Sequence, residues 1–284
     1  MSFLKNLCSI ESYKKIVEEN IEIFKSIERI CKKTGEKIEG NCFTKHQNME
    51  KKSKLLLYKQ CNHFSLGKIS NSIMEIGFNA GHSSLLYLLS NPSCNIVVFD
   101  LCSHKYTMLC FEYLKTIFPN RLEIYPGDST VTVPQYYINN PNKRFDLIHI
   151  DGCHAADIAN KDFYNSLKLA NDIIIWDDTQ LKKIDNLFKD YIKKGLVYEV
   201  SLYKTFIYEH KICRVNKILN KKYKFNNNNI IFSADNKVKN IKNSSYEFVS
   251  KYVIRLRCNN EDFWLKFDSN YSNYKIYNKH DIFF

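Results

Sequence analysis

No stretch of eighteen consecutive apolar residues occurs in this 284-residue chain, which argues against a membrane-spanning helix. The first residues, Met1-Ser2-Phe3-Leu4-Lys5, lack the long apolar run ending in small residues that an export signal carries. None of the ten cysteines, spread from Cys8 to Cys258, forms a C-x-x-C pair. Without an export signal, reduced thiols in the cytoplasm are expected rather than a disulfide framework, and the sequons at Asn243 and Asn270 then carry no glycan. No internal repeat is present. Apolar residues make up 44% and charged residues 25%, so a real core is available and wholesale disorder is excluded.

The formal net charge of +12 is unevenly distributed. Residues 1–70 carry +6, residues 71–180 carry −5 and residues 181–284 carry +11. Basic flanks attract nucleic acid or anionic surfaces. The chain also holds 31 asparagines, including the run Asn226 to Asn229. Lysine together with asparagine is what an AT-rich genome produces, so the charge has a bland account as well.

The periodicity predicts three regions. Residues 1–70 form an N-terminal helical extension. Within it Ile10, Tyr13, Ile16, Val17, Ile21, Phe24, Ile27 and Ile30 recur at helical spacing over 10–33, Gly35 ends the run, and residues 46–61 form a second, more polar helix, together a lid or packing arm. Residues 71–215 alternate helical stretches with short apolar runs at Ile73–Phe78, Ile96–Asp100, Leu122–Tyr125, Phe145–Asp151 and Ile173–Asp177. Near-continuous apolar strands alternating with helices mean a mostly parallel sheet covered on both faces, an α/β class. After a helix at about 180–194, Val197–Leu202 and Thr205–His210 are spaced for a hairpin. Residues 222–284, entered through the asparagine linker, carry β-type runs at Ile230–Phe232, Tyr246–Arg257, Phe263–Phe267 and Tyr274–Tyr277, giving a small β-rich module whose aromatics are expected to form its core.

Four motifs bear on chemistry. Met74-Glu75-Ile76-Gly77-Phe78-Asn79-Ala80-Gly81-His82-Ser83-Ser84 follows a strand and opens a helix. Gly77 allows a tight turn, Gly81 allows close backbone approach, and the free amides of the helix start face a ligand. Asp100 ends the next strand, where a carboxylate can accept ribose hydroxyls or simply cap a helix. Asp128, in Pro126-Gly127-Asp128-Ser129, can meet an adenine amine, cap the following helix, or both. Asp151, at the end of Ile148-His149-Ile150-Asp151-Gly152-Cys153-His154, and Asp177 and Asp178, at the end of Ile175-Trp176-Asp177-Asp178, sit at strand C-termini, which face the ligand crevice. The three acids are expected to converge with no local Lys or Arg, a repulsion that a hard divalent cation such as Mg²⁺ removes.

The strings E-I-G-x-x-x-G-H-S, I-D-G-x-H and W-D-D resemble class I methyltransferases that use S-adenosylmethionine (SAM). They look most like the metal-dependent small-molecule O-methyltransferases of the I-D-G-x-H group, related to catechol O-methyltransferase. The resemblance spans about residues 70–210. It implies a Rossmann-like fold with a seven-stranded sheet. It implies SAM contacts from Glu75, Gly77, Gly81, Asp100 and Asp128, with Asn79, His82, Ser83 and Asp151 completing the pocket, and Mg²⁺ ligands Asp151, Asp177 and Asp178. Where the catechol enzymes place a lysine base three residues past the first metal Asp, this chain has His154, so His154 with Asp151 becomes the expected catalytic pair. Where they often use Asn as third ligand, Asp178 adds a charge. His149 either supports the metal site or is a packed core histidine.

The expected activity is methyl transfer to a hydroxyl of a small molecule or glycan, in a cytoplasmic enzyme that can form homo-oligomers and binds no membrane. RNA methylation or RNA binding through the basic flanks is the first alternative. The chain lacks the Asn/Asp-Pro-Pro-aromatic motif of amino-methylating DNA enzymes, and no catalytic lysine stands at the strand tips. A dehydrogenase using NAD would share the glycine turn and Asp100 without needing the acid cluster. A non-catalytic binding protein on the same fold is the third.

Overall fold

The computed structural model describes residues 9–39, 42–43, 54–205, 208–219, 222–225, 228–232, 238–239, 244–250, 253–258, 261–268 and 271–277. The residues that were expected to begin the second helix (46–53), to link the regions (226–227), to carry the sequons (243 and 270) and to lie within the last hairpin strand (206–207) fall outside these.

The predicted helix over 10–33 is two helices, α1 (Ile10–Glu19) and α2 (Ile21–Thr34). Ser9 caps α1, its hydroxyl accepting from the Ser12 amide at 3.0 Å. Asn20 sits between the two in a non-helical conformation and turns its amide side chain back onto the Ile16 carbonyl at 2.8 Å. Gly35 ends α2 in the left-handed conformation, φ 74°, which a glycine adopts without a Cβ clash. A 3-10 turn over Lys54–Leu56 leads into α3 (Leu57–Lys68).

Alternation then follows: β1 (Ser72–Ile76), α4 (His82–Ser90), β2 (Asn95–Asp100), α5 (Lys105–Ile117), β3 (Leu122–Pro126), α6 (Ser129–Asn139), β4 (Phe145–Ile150), α7 (Ala156–Leu169), β5 (Ala170–Trp176) and α8 (Lys182–Lys193). β6 is Val197–Val200 and β7 is Lys211–Val215, so the strand expected at 205–210 forms later. The seven-stranded sheet has the order β3-β2-β1-β4-β5-β7-β6, with the β3–β2, β2–β1, β1–β4 and β4–β5 pairs parallel. Strand order reverses between β1 and β4, and a ligand crevice opens where the C-terminal ends of such strands part.

The chain divides into two compact units, residues 1–185 with 200–212, and residues 186–199 with 213–284. In the first, Phe24, Ile27 and Cys31 of α2 are fully buried in one cluster with Phe78, Leu85, Tyr106, Cys110 and Leu114. The helical extension is therefore part of the core that carries the sheet. In the second, a sheet of β8 (Lys222–Phe225), β9 (Asn228–Phe232) and β10 (Val238–Lys239) accompanies an antiparallel sheet of β11 (Ser244–Ser250), β12 (Val253–Cys258), β13 (Glu261–Phe267) and β14 (Tyr274–Tyr277). The run expected over 246–257 is thus a hairpin of two strands. Of the tail aromatics expected to form its core, Phe267 and Tyr271 are buried, whereas Phe263, Trp264, Tyr274 and Tyr277 are only partly so; Tyr223, Phe225, Phe232 and Tyr246 are buried as well.

Candidate active site

Gly77 follows β1 with φ 92°, and a Cβ there would stand 2.1 Å from the carbonyl oxygen of Asp151. Only a glycine lets this turn lie against the tip of β4. Asp100 holds the turn from the other side. Its Oδ2 accepts from the amides of Phe78 at 2.7 Å and Asn79 at 2.9 Å, and its Oδ1 accepts from the Cys102 amide at 2.6 Å. Asn79 accepts from the Tyr106 hydroxyl at 2.7 Å and donates through Nδ2 to the Glu39 carbonyl. Glu75 is fully buried behind the turn, where it accepts from the Ser83 hydroxyl at 2.5 Å and from the Ser84 hydroxyl.

A cavity of about 470 Å³ opens at this point. Gly77, Asn79, His82 and Ser83 line it together with Asp151, His154 and Asp178. His82 is buried at the start of α4 with Nε2 lacking a hydrogen-bond partner, and burial holds its pKa down to about 4. Of the residues expected at the cofactor, Glu75, Gly81, Asp100 and Asp128 are not in the lining; a Cβ at Gly81, φ 82°, would meet the Phe78 ring and Leu114. Asp128 is exposed and caps α6, accepting from the amide and the hydroxyl of Thr130, each at 2.8 Å. Glu75 and Asp100 instead brace the turn.

The expected convergence of three acids divides. Donor atoms of Asp151, His154 and Asp178 lie within 4.8 Å of one another, and Asp177 does not join them. Asp178 takes a left-handed backbone, φ 57°, and places Oδ2 at 2.6 Å from His154 Nε2. Asp177 turns inward and is buried. Lys59 Nζ lies 2.7 Å from both of its oxygens, the Asp178 amide donates to Oδ1 at 2.8 Å, and His149 Nε2 lies 3.4 Å from Oδ2. The expectation of no nearby lysine or arginine is therefore corrected: α3 delivers a buried ammonium to the tip of β5. His149 bridges the acids, its Nδ1 lying 2.9 Å from Glu75 Oε1.

These placements shift the groups in opposite directions. Burial pushes the Asp151 carboxyl up, with Asp177 adding to it, to about 8. Burial would raise Asp177 too, but Lys59 and His149 outweigh it and hold that carboxylate far below its ordinary range. Burial opposes charge on His149, yet its hydrogen bonds to Asp177 and Glu75 prevail and raise it to about 10. The hydrogen bond to Asp178 raises His154 above its ordinary value.

Lys59 and His63 of α3 also line the cavity. Sequence patterning missed both. Their four-residue spacing puts them on one helix face, but that face reads as solvated until the tertiary packing buries it. Trp176 is fully buried against the Phe163 ring, centroids 5.4 Å apart, and lies away from the cavity lining. Cys153 is exposed with no organised catalytic partners among the described residues.

A family model described as a methyltransferase domain matches residues 74–179. Among solved structures, the O-methyltransferase from Bacillus cereus in complex with S-adenosylhomocysteine is 17% identical, with a TM-score of 0.52, over 73% of this chain and 99% of that one. The O-methyltransferase TomG from Streptomyces achromogenes, involved in tomaymycin synthesis and bound to SAM, is 14% identical, with a TM-score of 0.50, over 68% of this chain and 89% of that one. No curated protein sequence matches the chain. At these identities the structures speak for the fold, and the motif turns and the family match fall on the same strands. Residues 74–179 thus match a methyltransferase domain, set in a chain whose fold is that of solved O-methyltransferases.

Proposed function

We propose that the protein transfers the SAM methyl group to a hydroxyl of a small molecule or sugar. One observation carries this reading: a single cavity is lined both by the glycine turn and by the Asp151–His154–Asp178 group. Its volume of about 470 Å³ suits a small acceptor beside a cofactor.

A divalent cation fits the outer group and not Asp177, whose charge Lys59 already balances. Asp151 and Asp178 would hold it, offsetting the burial and the like charge of Asp177 that keep the Asp151 carboxyl up. Bound there, Mg²⁺ would lower the pKa of an acceptor hydroxyl. His154, which lines the cavity and is oriented by Asp178 through Nε2, takes the hydroxyl proton at its other ring nitrogen, Nδ1. Asp100, Glu75 and Tyr106 keep the turn rigid. Positioning of acceptor against donor then does most of the work.

The test is methyl transfer from labelled SAM to a panel of catechols, sugars and hydroxylated metabolites, with Mg²⁺ or with a chelator. His154→Ala is expected to lower kcat about 10²–10⁴-fold with SAM binding retained. A chelator should abolish transfer and leave SAM binding intact. Absence of any SAM-dependent rise in melting temperature would overturn the reading.

A further inference from the structure

We propose that Tyr208 selects the methyl acceptor, its side chain serving as a platform for a six-membered ring that bears the reacting hydroxyl. That the ring is a methyl acceptor rests on the methyl-transfer reading above; the platform itself does not. Tyr208 lines the cavity together with His154, Asp178, Gln180 and Leu181. Its backbone is left-handed, φ 46°, a conformation that a bulky residue rarely adopts. It is 45% exposed, and among the described residues no ring packs against it and nothing hydrogen-bonds to its hydroxyl.

The chain on either side of Tyr208 is fixed. Buried Asn62 of α3 uses both ends of its amide there: Oδ1 accepts from the Tyr203 amide at 2.9 Å, while Nδ2 reaches the Tyr203 carbonyl and His210 Nε2, each at 2.8 Å. The Tyr203 ring stacks on that of Tyr58, centroids 5.4 Å apart and planes 11° from parallel. Beyond Tyr208, the Glu209 carbonyl accepts from the Thr179 amide at 2.9 Å, which seats residue 209 against the turn that carries Asp178. A strained backbone persists only where its surroundings over-determine it, and such residues gather at ligand sites. Here the anchors are buried, and the strained residue between them holds out a large aromatic ring that the protein's own packing does not use.

The turn that meets Glu209 supplies the rest of the acceptor end. The Leu181 amide donates to the Asp178 carbonyl at 2.9 Å, and Gln180 Nε2 donates to Asp178 Oδ1 at 2.8 Å. Leu181 and Tyr208 thus add apolar surface to a lining that also holds the polar Asp178–His154 pair. Such a mixture suits a ring whose flat face lies on Tyr208 and whose hydroxyl turns to His154. An aryl ring through its π face and a pyranose through its C–H face both offer that chemistry.

The test reads binding rather than turnover. Catechol and methyl glucoside are each titrated calorimetrically into the full-length protein, with and without S-adenosylhomocysteine. One of the two is expected to bind, and which one decides between aryl and sugar acceptors. Tyr208→Asn and Tyr208→Gly remove the ring and favour the left-handed backbone, so each should weaken that binding about tenfold and leave the affinity for S-adenosylhomocysteine unchanged. Tyr208→Phe keeps the ring and should stay within about twofold of the wild type. Ring binding that depends on Tyr208, in a protein that takes up no S-adenosylhomocysteine, would overturn the methyl-transfer reading and uphold the platform. No binding of either ring compound, unchanged affinity in Tyr208→Asn and Tyr208→Gly, or an equal loss in Tyr208→Phe would overturn the proposal.

Discussion

Asp177 and Asp178 are chain neighbours with opposite surroundings, and the difference lies in their partners. Asp177 is buried and shares both oxygens with the Lys59 ammonium, while the left-handed backbone of Asp178 sends its carboxylate to His154. Removing one member of a buried ion pair leaves an uncompensated charge. Lys59→Met should therefore destabilise the protein by about 3–5 kcal/mol, whereas Lys59→Met combined with Asp177→Leu should cost less than that single change. Urea denaturation of the two variants checks this. Gly77 is constrained just as locally. Gly77→Ala would bring a Cβ within 2.1 Å of the Asp151 carbonyl oxygen at φ 92°, so the turn must move away from β4. Calorimetric titration with SAM should show binding lost or weakened by more than tenfold; unchanged affinity would contradict the placement of this turn at the cofactor.

At the scale of elements, the helical extension couples to the glycine turn through specific bonds. The Tyr106 hydroxyl of α5 accepts from the Glu39 amide at 3.3 Å and donates to Asn79 at 2.7 Å, and Lys105 N donates to Glu36 at 2.9 Å. Residues 36–39 are thereby strapped to the glycine turn. Tyr106→Phe removes the bridge and keeps the ring, and a net hydrogen-bond contribution of about 1 kcal/mol predicts a rise in the SAM dissociation constant of about fivefold. Equilibrium binding measures it. The extension is also core. Phe24 of α2 is fully buried, its ring 4.7 Å from that of Phe43. Phe24→Ala should cost about 3–5 kcal/mol, and a loss below 1 kcal/mol would show that α2 is peripheral.

For the whole molecule, pH dependence of stability follows from acids that the fold keeps from ionising. Asp162 of α7 is fully buried, and burial pushes its carboxyl up to about 6. The unfolded chain releases this proton near pH 3.9, so between about pH 4 and 6 the native state binds more protons than the unfolded one. Stability contributed by Asp162 is therefore present at low pH and is lost as pH rises through that window. Asp162→Asn should flatten the difference by about 2–3 kcal/mol, read from denaturation curves at pH 4 and pH 7. A variant with the same pH slope as the wild type would refute the assignment.

The sequence by itself determined the alternation of strands and helices, the parallel core sheet, the glycine turn and the placing of Asp151, Asp177 and Asp178 at strand ends. These follow from short-range regularities: apolar runs of strand length, helical periodicity, and the rule that strand C-termini face the crevice. Only the tertiary structure decided what each charged group meets. Lys59 stands 118 positions from Asp177, and its helix face becomes interior through packing alone. The division of the acids, the enclosure of His63 and the conversion of Glu75 and Asp100 into braces for the turn are contacts between distant segments. Local spacing carries no information about which charges a fold will bury together, because burial belongs to the assembled core.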